Sequence, residues 1–547
     1  MRHSTSTVRR SQFSRVWAPL LTVILVLSTF GTVATTRVLA QSDPETLIVA
    51  VPGDMQNLDP TLSSGDIVTQ EMLTNVYEWL IDYEVVDQAD GTKTAESTSF
   101  VGAIAEKFEW SDDGSKVTFT LRPDLKFSNG DPLTAEAVKF TFDRLFGQGG
   151  VTVGNMAMAA VPDADHIQIV DERTIEMTLD TPNTLLFGNM AQFGNSILNP
   201  NVVEPHMTAD DPYAHEWLKA HTEGTEQGPF RLESWEPGNQ WVLARNENYW
   251  GEAPRLARII FKVIPDPSSR LAQLQSGAVD VAYEIPRSDL ALLEGDPTVQ
   301  VVRNTSRTVV YLGMNNEVPP FDNKQVRQAI SYAIPYDTIV NDVLLGYGKQ
   351  LTSPIPDGTP THTDEFFVYN SNDLEKAKQL LTEAGYPDGF ETTLEIMSGI
   401  QEAKETAVWV QQSLAQIGIT VNIQELPGAA FSEKLQKHEL GFFFTNTWIS
   451  INNDPWYHLY WLFQHECCNY TNYSNDEVNA MIDQFTLSTD EAARNDASVK
   501  AQGIIVDDAP WVFLYQPDQI MVMRSNVKGY VFYSTEGFVR YKYMYKE

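Results

Sequence analysis

In the first half of the chain, short apolar runs alternate with polar turns at the spacing of strands and hairpins. Thr46–Val51 reads as a strand leading into the turn Asn57-Leu58-Asp59-Pro60, and Glu71–Leu80 reads as a helix. In Trp110–Leu121 a Ser-Asp-Asp-Gly turn precedes alternating Val117, Phe119 and Leu121, which predicts a hairpin. A glycine-containing turn over Phe127–Asp131 follows. Thr134 is then placed to cap a helix whose Val138, Phe142 and Leu145 fall at helical spacing. Ile167–Val170 and Thr174–Leu179 make a second hairpin. Ser268 is expected to cap a helix through Leu274, and Ala278–Tyr283 to form a short strand.

The second half is patterned differently. Asp322 and Gln325 read as a capping box ahead of Val326, Ala329, Ile330 and Ala333. Asp337 starts a further helix, ended by Gly346. Asn372 or Asp373 opens a helix to Ala384, stopped by Gly385. A helix over 402–416, a strand Thr420–Glu425, a helix over 429–437 and a strand Phe442–Thr447 follow, and Ser474 with Glu477 reads as another capping box. Helices alternating with strands predict a mainly parallel sheet covered on both faces.

The 547 residues are too many for one ordinary domain, and 42% hydrophobic with 11% aromatic residues is enough for large cores. Residues 1–40 read as a cleavable signal peptide. Arg2, Arg9, Arg10 and Arg15 precede an apolar segment from about Val16 to Val33, and Val38-Leu39-Ala40 offers a cleavage site before Gln41. The alternative is an uncleaved N-terminal anchor. No cysteine lies near that site, so no lipobox is expected, and the protein is placed in the periplasm or outside the cell. Losing five arginines and no acid with this segment shifts the net charge from −35 to about −40. Such a balance opposes nucleic acid and anionic membrane surfaces as partners.

The two cysteines, Cys467 and Cys468, are adjacent, so either a vicinal disulfide or two buried thiols is expected. Their spacing from His458 and His465 fits no zinc site, and no metal is expected. No nucleophile elbow, phosphate-binding glycine loop or His-Glu-x-x-His motif is present, so no catalytic residue and no cofactor is assigned. Asp112-Asp113-Gly114 reads as a hairpin turn rather than a calcium loop.

The run Ile104–Leu145, with its hairpin, Asn-Gly-Asp turn and Pro-Leu-Thr-Ala-Glu-Ala-Val helix, resembles one family over some forty positions. That family is the extracellular solute-binding proteins of family 5, the peptide, opine, nickel and oligosaccharide receptors of ABC importers. Asn75–Leu80, Gly228-Pro229-Phe230 and Asn246–Gly251 add to the likeness, which extends over essentially all of 45–547. The resemblance implies a bilobal periplasmic-binding-protein fold: two α/β lobes, a hinge and an extra inserted α+β subdomain. It divides the chain into lobe I (45–60, 186–312 and 515–547), an insertion at 61–185 and lobe II at 313–514. Hinge strands are expected near Gly313–Asn316 and Leu514–Gln516. It also implies a monomer that captures a small solute between its lobes and delivers it to membrane permease subunits. The solute would be a peptide, a modified peptide or an oligosaccharide.

The segment 442–463 is the strongest site candidate. Three phenylalanines begin a buried strand, and the sequence then turns polar, as it does where a strand emerges at the end of an α/β sheet. Thr447, Trp448, Ile449, Ser450, Ile451, Asn452, Asp454 and Trp456 are therefore expected at the ligand. The run corresponds to the family's Trp-x-x-Asp-x-x-Asp-Pro, whose first Asp pairs with a peptide's α-ammonium in peptide-binding members. Here Ile451 stands in that place, which argues against peptides with a free N-terminus, since an aliphatic side chain leaves a buried ammonium unpaired. Asp454 could replace the acid, but an Asp before Pro at a helix start is better read as a cap. An oligosaccharide would stack on Trp448 and Trp456. Ser63, Ser64 and Asp66, Tyr283 with Glu284, and Tyr515 with Gln516 are further expected wall residues. Two other functions compete: a secreted hydrolase using Glu284 and Asp454 in one cleft, and a chaperone or signalling receptor on the same scaffold.

Overall fold

The computed structural model describes residues 43–63, 67–88, 92–369, 372–465 and 467–547, and only the main chain of Thr445, Asn446 and Thr447. The expected signal peptide, Ser64 and Asp66 lie outside the described residues.

A twelve-stranded sheet runs through the molecule, organised on the 14-residue strand Trp511–Arg524. Its first part, Trp511–Tyr515, pairs antiparallel with Val309–Met314. Its second part, Asp518–Arg524, pairs antiparallel with Val299–Thr305. Each half of this strand therefore belongs to a different lobe. In lobe I, Thr46–Val51 runs parallel to Arg258–Val263 and Val281–Ala282, and the hairpin of Phe230–Glu236 with Gln240–Arg245 extends the sheet. In lobe II, Phe442–Trp448 lies antiparallel to Val309–Met314, while Glu391–Met397 runs parallel to both Phe442–Trp448 and Thr420–Leu426.

In lobe II, the part of the chain for which a mainly parallel sheet was expected, that expectation thus holds only for the three strands farthest from Trp511–Arg524. The chain enters and leaves lobe II on two neighbouring strands, which must run in opposite directions. Between Thr305 and Val309 the outgoing chain passes from one strand to the next without changing partner, both pairing with Trp511–Arg524; the expected hinge at Gly313–Asn316 lies further along, at the end of the second strand. The return crossing falls between Tyr515 and Asp518.

The inserted region has its own core. Ala105–Trp110, Lys116–Leu121, Thr174–Thr178 and Ile167–Asp171 form an antiparallel four-stranded sheet. Val117, Phe119, Leu121, Ile175 and Met177 point from it onto Val138 and Phe142 of the helix Ala135–Gln148. A separate sheet joins Ile81–Asp87 and Lys93–Gly102 to the C-terminal strand Val531–Tyr533, which brings the end of the chain against the insertion.

Several helix starts shift from their expected positions. Asp266, Asn323 and Asn475 are the caps, in place of Ser268, Asp322 and Ser474. In each case the Asp or Asn side-chain oxygen accepts from the first free N–H groups: Ser269 for Asp266, Gln325 for Asn323, and Glu477 with Val478 for Asn475. Thr134 occupies its cap position without a side-chain bond. The first helix is Ile67–Val76, because the chain at 77–80 is already extended and buried on its way into Ile81–Asp87. The expected strand Ala278–Tyr283 shrinks to Val281–Ala282. Cys467 and Cys468 are joined as a vicinal disulfide.

Candidate functional site

Three parts of the fold meet around a cavity of about 360 Å³. The first wall is the loop Thr61–Ser63 with Ile67 and Gln70 of the helix behind it. This loop hangs on Asp59, which is fully buried and accepts bonds from Arg144, His215 Nδ1 (2.8 Å), Gln148 (3.1 Å) and the Thr61 N–H (3.1 Å). Burial works against the Asp59 charge, but the hydrogen bonds of His215 and Arg144 and the Arg144 charge outweigh it and hold the carboxyl below its ordinary range.

The second wall comes from lobe II, where the strand Phe442–Trp448 ends and Trp448, Ile449 and Ile451 face the cavity. The loop is fixed through its main chain and two asparagines. Buried Arg307 donates to the Ser450 oxygen at 3.0 Å, to Asn453 Oδ1 and to the Ser534 oxygen at 3.0 Å. None of these acceptors is a carboxylate, and burial pushes the guanidinium down to about 10. Asn452 Nδ2 reaches Asn189 Oδ1 (2.9 Å) and the Leu185 oxygen (3.0 Å) in the insertion. Tyr457, one turn into the next helix, donates to Asn155 Oδ1 at 3.0 Å.

The third wall is Thr535–Phe538, completed by Gly150–Thr152, Asn155 and Ala191–Phe193 of the insertion. Phe538 meets Phe193 edge to face at 5.9 Å. A Cβ added at Gly537 would touch Ile449 Cδ1 at 3.6 Å, so the lobe II loop and the C-terminal segment are in near contact here. Apolar side chains cover much of the cavity, and Ser63, Gln70, Thr152, Gln192, Thr535 and Glu536 supply polar atoms.

Of the residues expected at the ligand, Ser63, Trp448, Ile449 and Ile451 line this cavity. Thr447 is the next-to-last residue of the strand Phe442–Trp448; its side chain is not described. Ser450 and Asn452 are buried and serve the loop itself, Ser450 through its hydroxyl to the Asn452 oxygen. Asp454 caps the helix Pro455–Phe463 through the Trp456 N–H (2.8 Å) and pairs with Arg494 (2.5 Å). It lines no part of the cavity, because both oxygens point to the helix start and to Arg494.

Trp456 is fully buried in the lobe II core against Phe485, so no pair of tryptophans forms a sugar platform. Tyr515 is buried at the lobe crossing, and Gln516 is spent on the Ser306 and Asp357 oxygens. Tyr283 donates to Glu71 at 2.7 Å in the lobe I core. Glu284, with φ of 49°, borders a different, larger cavity of about 990 Å³ beside Arg270, Arg287 and Glu402. Glu284 and Asp454 therefore do not share a cleft, and the acid pair of the hydrolase alternative does not assemble.

Sequence reading missed the walls from 150–155, 191–193 and 535–538. The first is the start of the helix Val151–Met158 and the other two are loops, and they meet only through the tertiary fold. The two cysteine thiols are not available to a metal ion. Cys467 and Cys468 are bonded to each other, and burial with the Arg307 charge pushes buried His458 down to about 3. Among the described residues, no group of three His, Cys, Asp or Glu side chains is placed to hold a metal ion.

A family model described as bacterial extracellular solute-binding proteins, family 5 middle, matches residues 99–467. The chain is 33% identical to the probable D,D-dipeptide-binding periplasmic protein DdpA of Escherichia coli, over 89% of this chain and 91% of the relative. It is 31% identical to heme-binding protein A of Haemophilus influenzae, over 80% and 82%. Among solved structures, the periplasmic binding protein DppA of Helicobacter pylori in complex with the peptide STSA superposes with a TM-score of 0.78. The sequence identity is 26%, and 92% of this chain and 98% of that one are covered.

Proposed function

Because the chain belongs to the bacterial extracellular solute-binding proteins of family 5, it is a substrate-binding protein of an ABC importer, and we propose that its solute is a compact, peptide-like molecule held at Trp448, Ile449 and Ile451. The observation that carries this reading is the cavity itself. It is bounded by both lobes and the insertion, so closing the lobes buries whatever lies in it. Its 360 Å³ lies at the small end of ligand pockets, which favours a short peptide over a long one. The mainly apolar wall supplies burial energy, and the few polar groups fix orientation. The peptide-related names of its relatives point the same way, while the absence of a paired tryptophan platform speaks against an oligosaccharide.

The same reading takes residues 1–40 as a cleavable signal peptide delivering the protein to the periplasm, and keeps the division into lobe I, insertion and lobe II. Intact mass of the exported protein tests the first, since cleavage before Gln41 removes 40 residues. The solute is tested by thermal shift with short peptides, modified peptides and oligosaccharides, because a ligand bound only by the folded form raises Tm. A short peptide or its derivative raises Tm, and Trp448→Ala abolishes the shift. A response confined to oligosaccharides overturns the reading.

A further inference from the structure

Glu536 is the only charged side chain among the described residues lining the cavity. Its carboxylate is 7% exposed and takes bonds from Arg540, Nη2 on Oε1 at 2.5 Å and Nε on Oε2 at 3.2 Å. An ionised carboxylate accepts about four hydrogen bonds. Each oxygen therefore keeps lone-pair capacity that no described side chain uses.

The charges behind it do not balance. Arg540 also serves Asp82 at 2.7 Å, and Lys542 lies 3.4 Å from Glu78 and 3.7 Å from Asp82. Three buried carboxylates thus share two cations at ion-pair distance; the buried Arg307 charge is felt at the neighbouring Tyr83 but forms no ion pair with any of the three. Glu78 gains further donors from the Tyr249 hydroxyl (2.8 Å) and the Trp250 indole (2.7 Å), and Asp82 from the Tyr83 N–H (2.8 Å). Among the described residues Glu536 is hydrogen-bonded by Arg540 alone, with the Lys542 charge acting from further away. Burial pushes its pKa up, and the Arg540 charge offsets that only in part. A buried carboxylate left short of positive charge is costly. It is also the cavity's most favourable contact for a cation.

We propose that Glu536 selects solutes carrying a protonated amine, which docks on the free side of its carboxylate and brings the buried cluster to three cations for three carboxylates. The proposal rests on reading this cavity as the solute site. It places an anionic contact in the same cavity as Ile451, which cannot supply one. Tyr83 bonds the Ile451 oxygen at 3.0 Å and also the Thr535 side chain, next to Glu536. A solute carboxylate has no cationic side chain to meet among the described lining residues.

The test is calorimetric titration of the exported protein with two matched pairs. One is a dipeptide and its N-acetyl derivative; the other is the glucosamine dimer and its di-N-acetyl derivative. In the series that binds, the free amine binds at least tenfold tighter to wild type. In Glu536→Gln the ratio falls to within threefold of one, and Glu536→Asp keeps part of it. The wild-type ratio needs no variant, so a misfolded Glu536→Gln does not hide the answer. Absence of amine preference in both series, or its survival in Glu536→Gln, overturns the proposal. A dipeptide pair that binds equally well with and without the amine leaves the peptide reading standing and removes Glu536. Glu536-dependent preference seen only with the amino sugars does the reverse.

Discussion

The Tyr83 hydroxyl donates a 3.0 Å hydrogen bond to the main-chain oxygen of Ile451, joining residues 368 positions apart. Tyr83 lies in the strand Ile81–Asp87 and is buried, so it holds the lobe II loop from the insertion side. Tyr83→Phe keeps the ring and leaves the Ile451 oxygen without this donor. The expected result is a loss of about 1–2 kcal/mol in the closed, solute-bound form, seen as a five- to thirtyfold rise in Kd by calorimetry. An unchanged Kd would show that the loop keeps its position without Tyr83.

Two tryptophans eight positions apart should fail in different ways when truncated. Trp448 is half-buried at the cavity, whereas Trp456 is fully buried in the lobe II core. Trp448→Ala removes a large aromatic contact and should cost about 2 kcal/mol or more of solute binding, with little change in Tm. Trp456→Ala opens a core cavity and should lower unfolding free energy by about 3–5 kcal/mol. Urea denaturation and calorimetry on the two variants separate the effects; a Trp448→Ala protein with normal affinity would place the solute elsewhere.

This difference shows how far the sequence reaches. Phe442–Phe444 gave away a buried strand, and the polar turn after Trp448 gave away its end, so one wall of the cavity was legible from local pattern. Patterning could not say which side of Trp456 faces the core, because the helix Pro455–Phe463 is apolar nearly all round. Ser63 was expected at the ligand from its place after the first strand, but the rest of the other walls was invisible, for a different reason. Thr61–Ser63, Ala191–Phe193 and Thr535–Phe538 are loops separated by hundreds of residues, brought together by Asp59, Asn452 and the strand Val531–Tyr533. Cap errors of one or two residues came from neighbouring Asp, Asn and Ser side chains, any of which satisfies the local rule.

The Asp454–Arg494 pair makes a prediction that separates support from recognition. Arg494 is buried and Asp454 mostly so, and Arg494 also donates to the Thr486 and Ser488 oxygens, fastening the start of the long helix Glu491–Asp508. Asp454→Asn preserves a good cap but leaves Arg494 without a counter-charge. Breaking such a pair by removing one partner costs about 3–5 kcal/mol. Unfolding free energy should fall by that amount, with solute Kd changed less than threefold. A large rise in Kd at unchanged stability would return Asp454 to the ligand.

Glu71 makes stability depend on pH. Buried in lobe I, it accepts from the Tyr283 hydroxyl (2.7 Å), the Tyr541 hydroxyl (2.8 Å) and the Val539 N–H (3.0 Å), next to Phe538 of the cavity wall. Burial pushes its pKa up from 4.5 to about 7, more than these three donors lower it. Between those values the folded protein holds a proton that the unfolded chain has released. Stability therefore falls as pH rises from 4.5 to 7, by about 3 kcal/mol from this group, and is level above 7. Other carboxylates titrate in the same window, so the comparison must be made against Glu71→Gln, which has no proton to lose. Urea unfolding at pH 5 and pH 7.5 should show a drop about 2.5 kcal/mol larger in wild type than in Glu71→Gln. Equal drops would mean that Glu71 is ionised in the folded protein across this range, held there by Tyr283 and Tyr541.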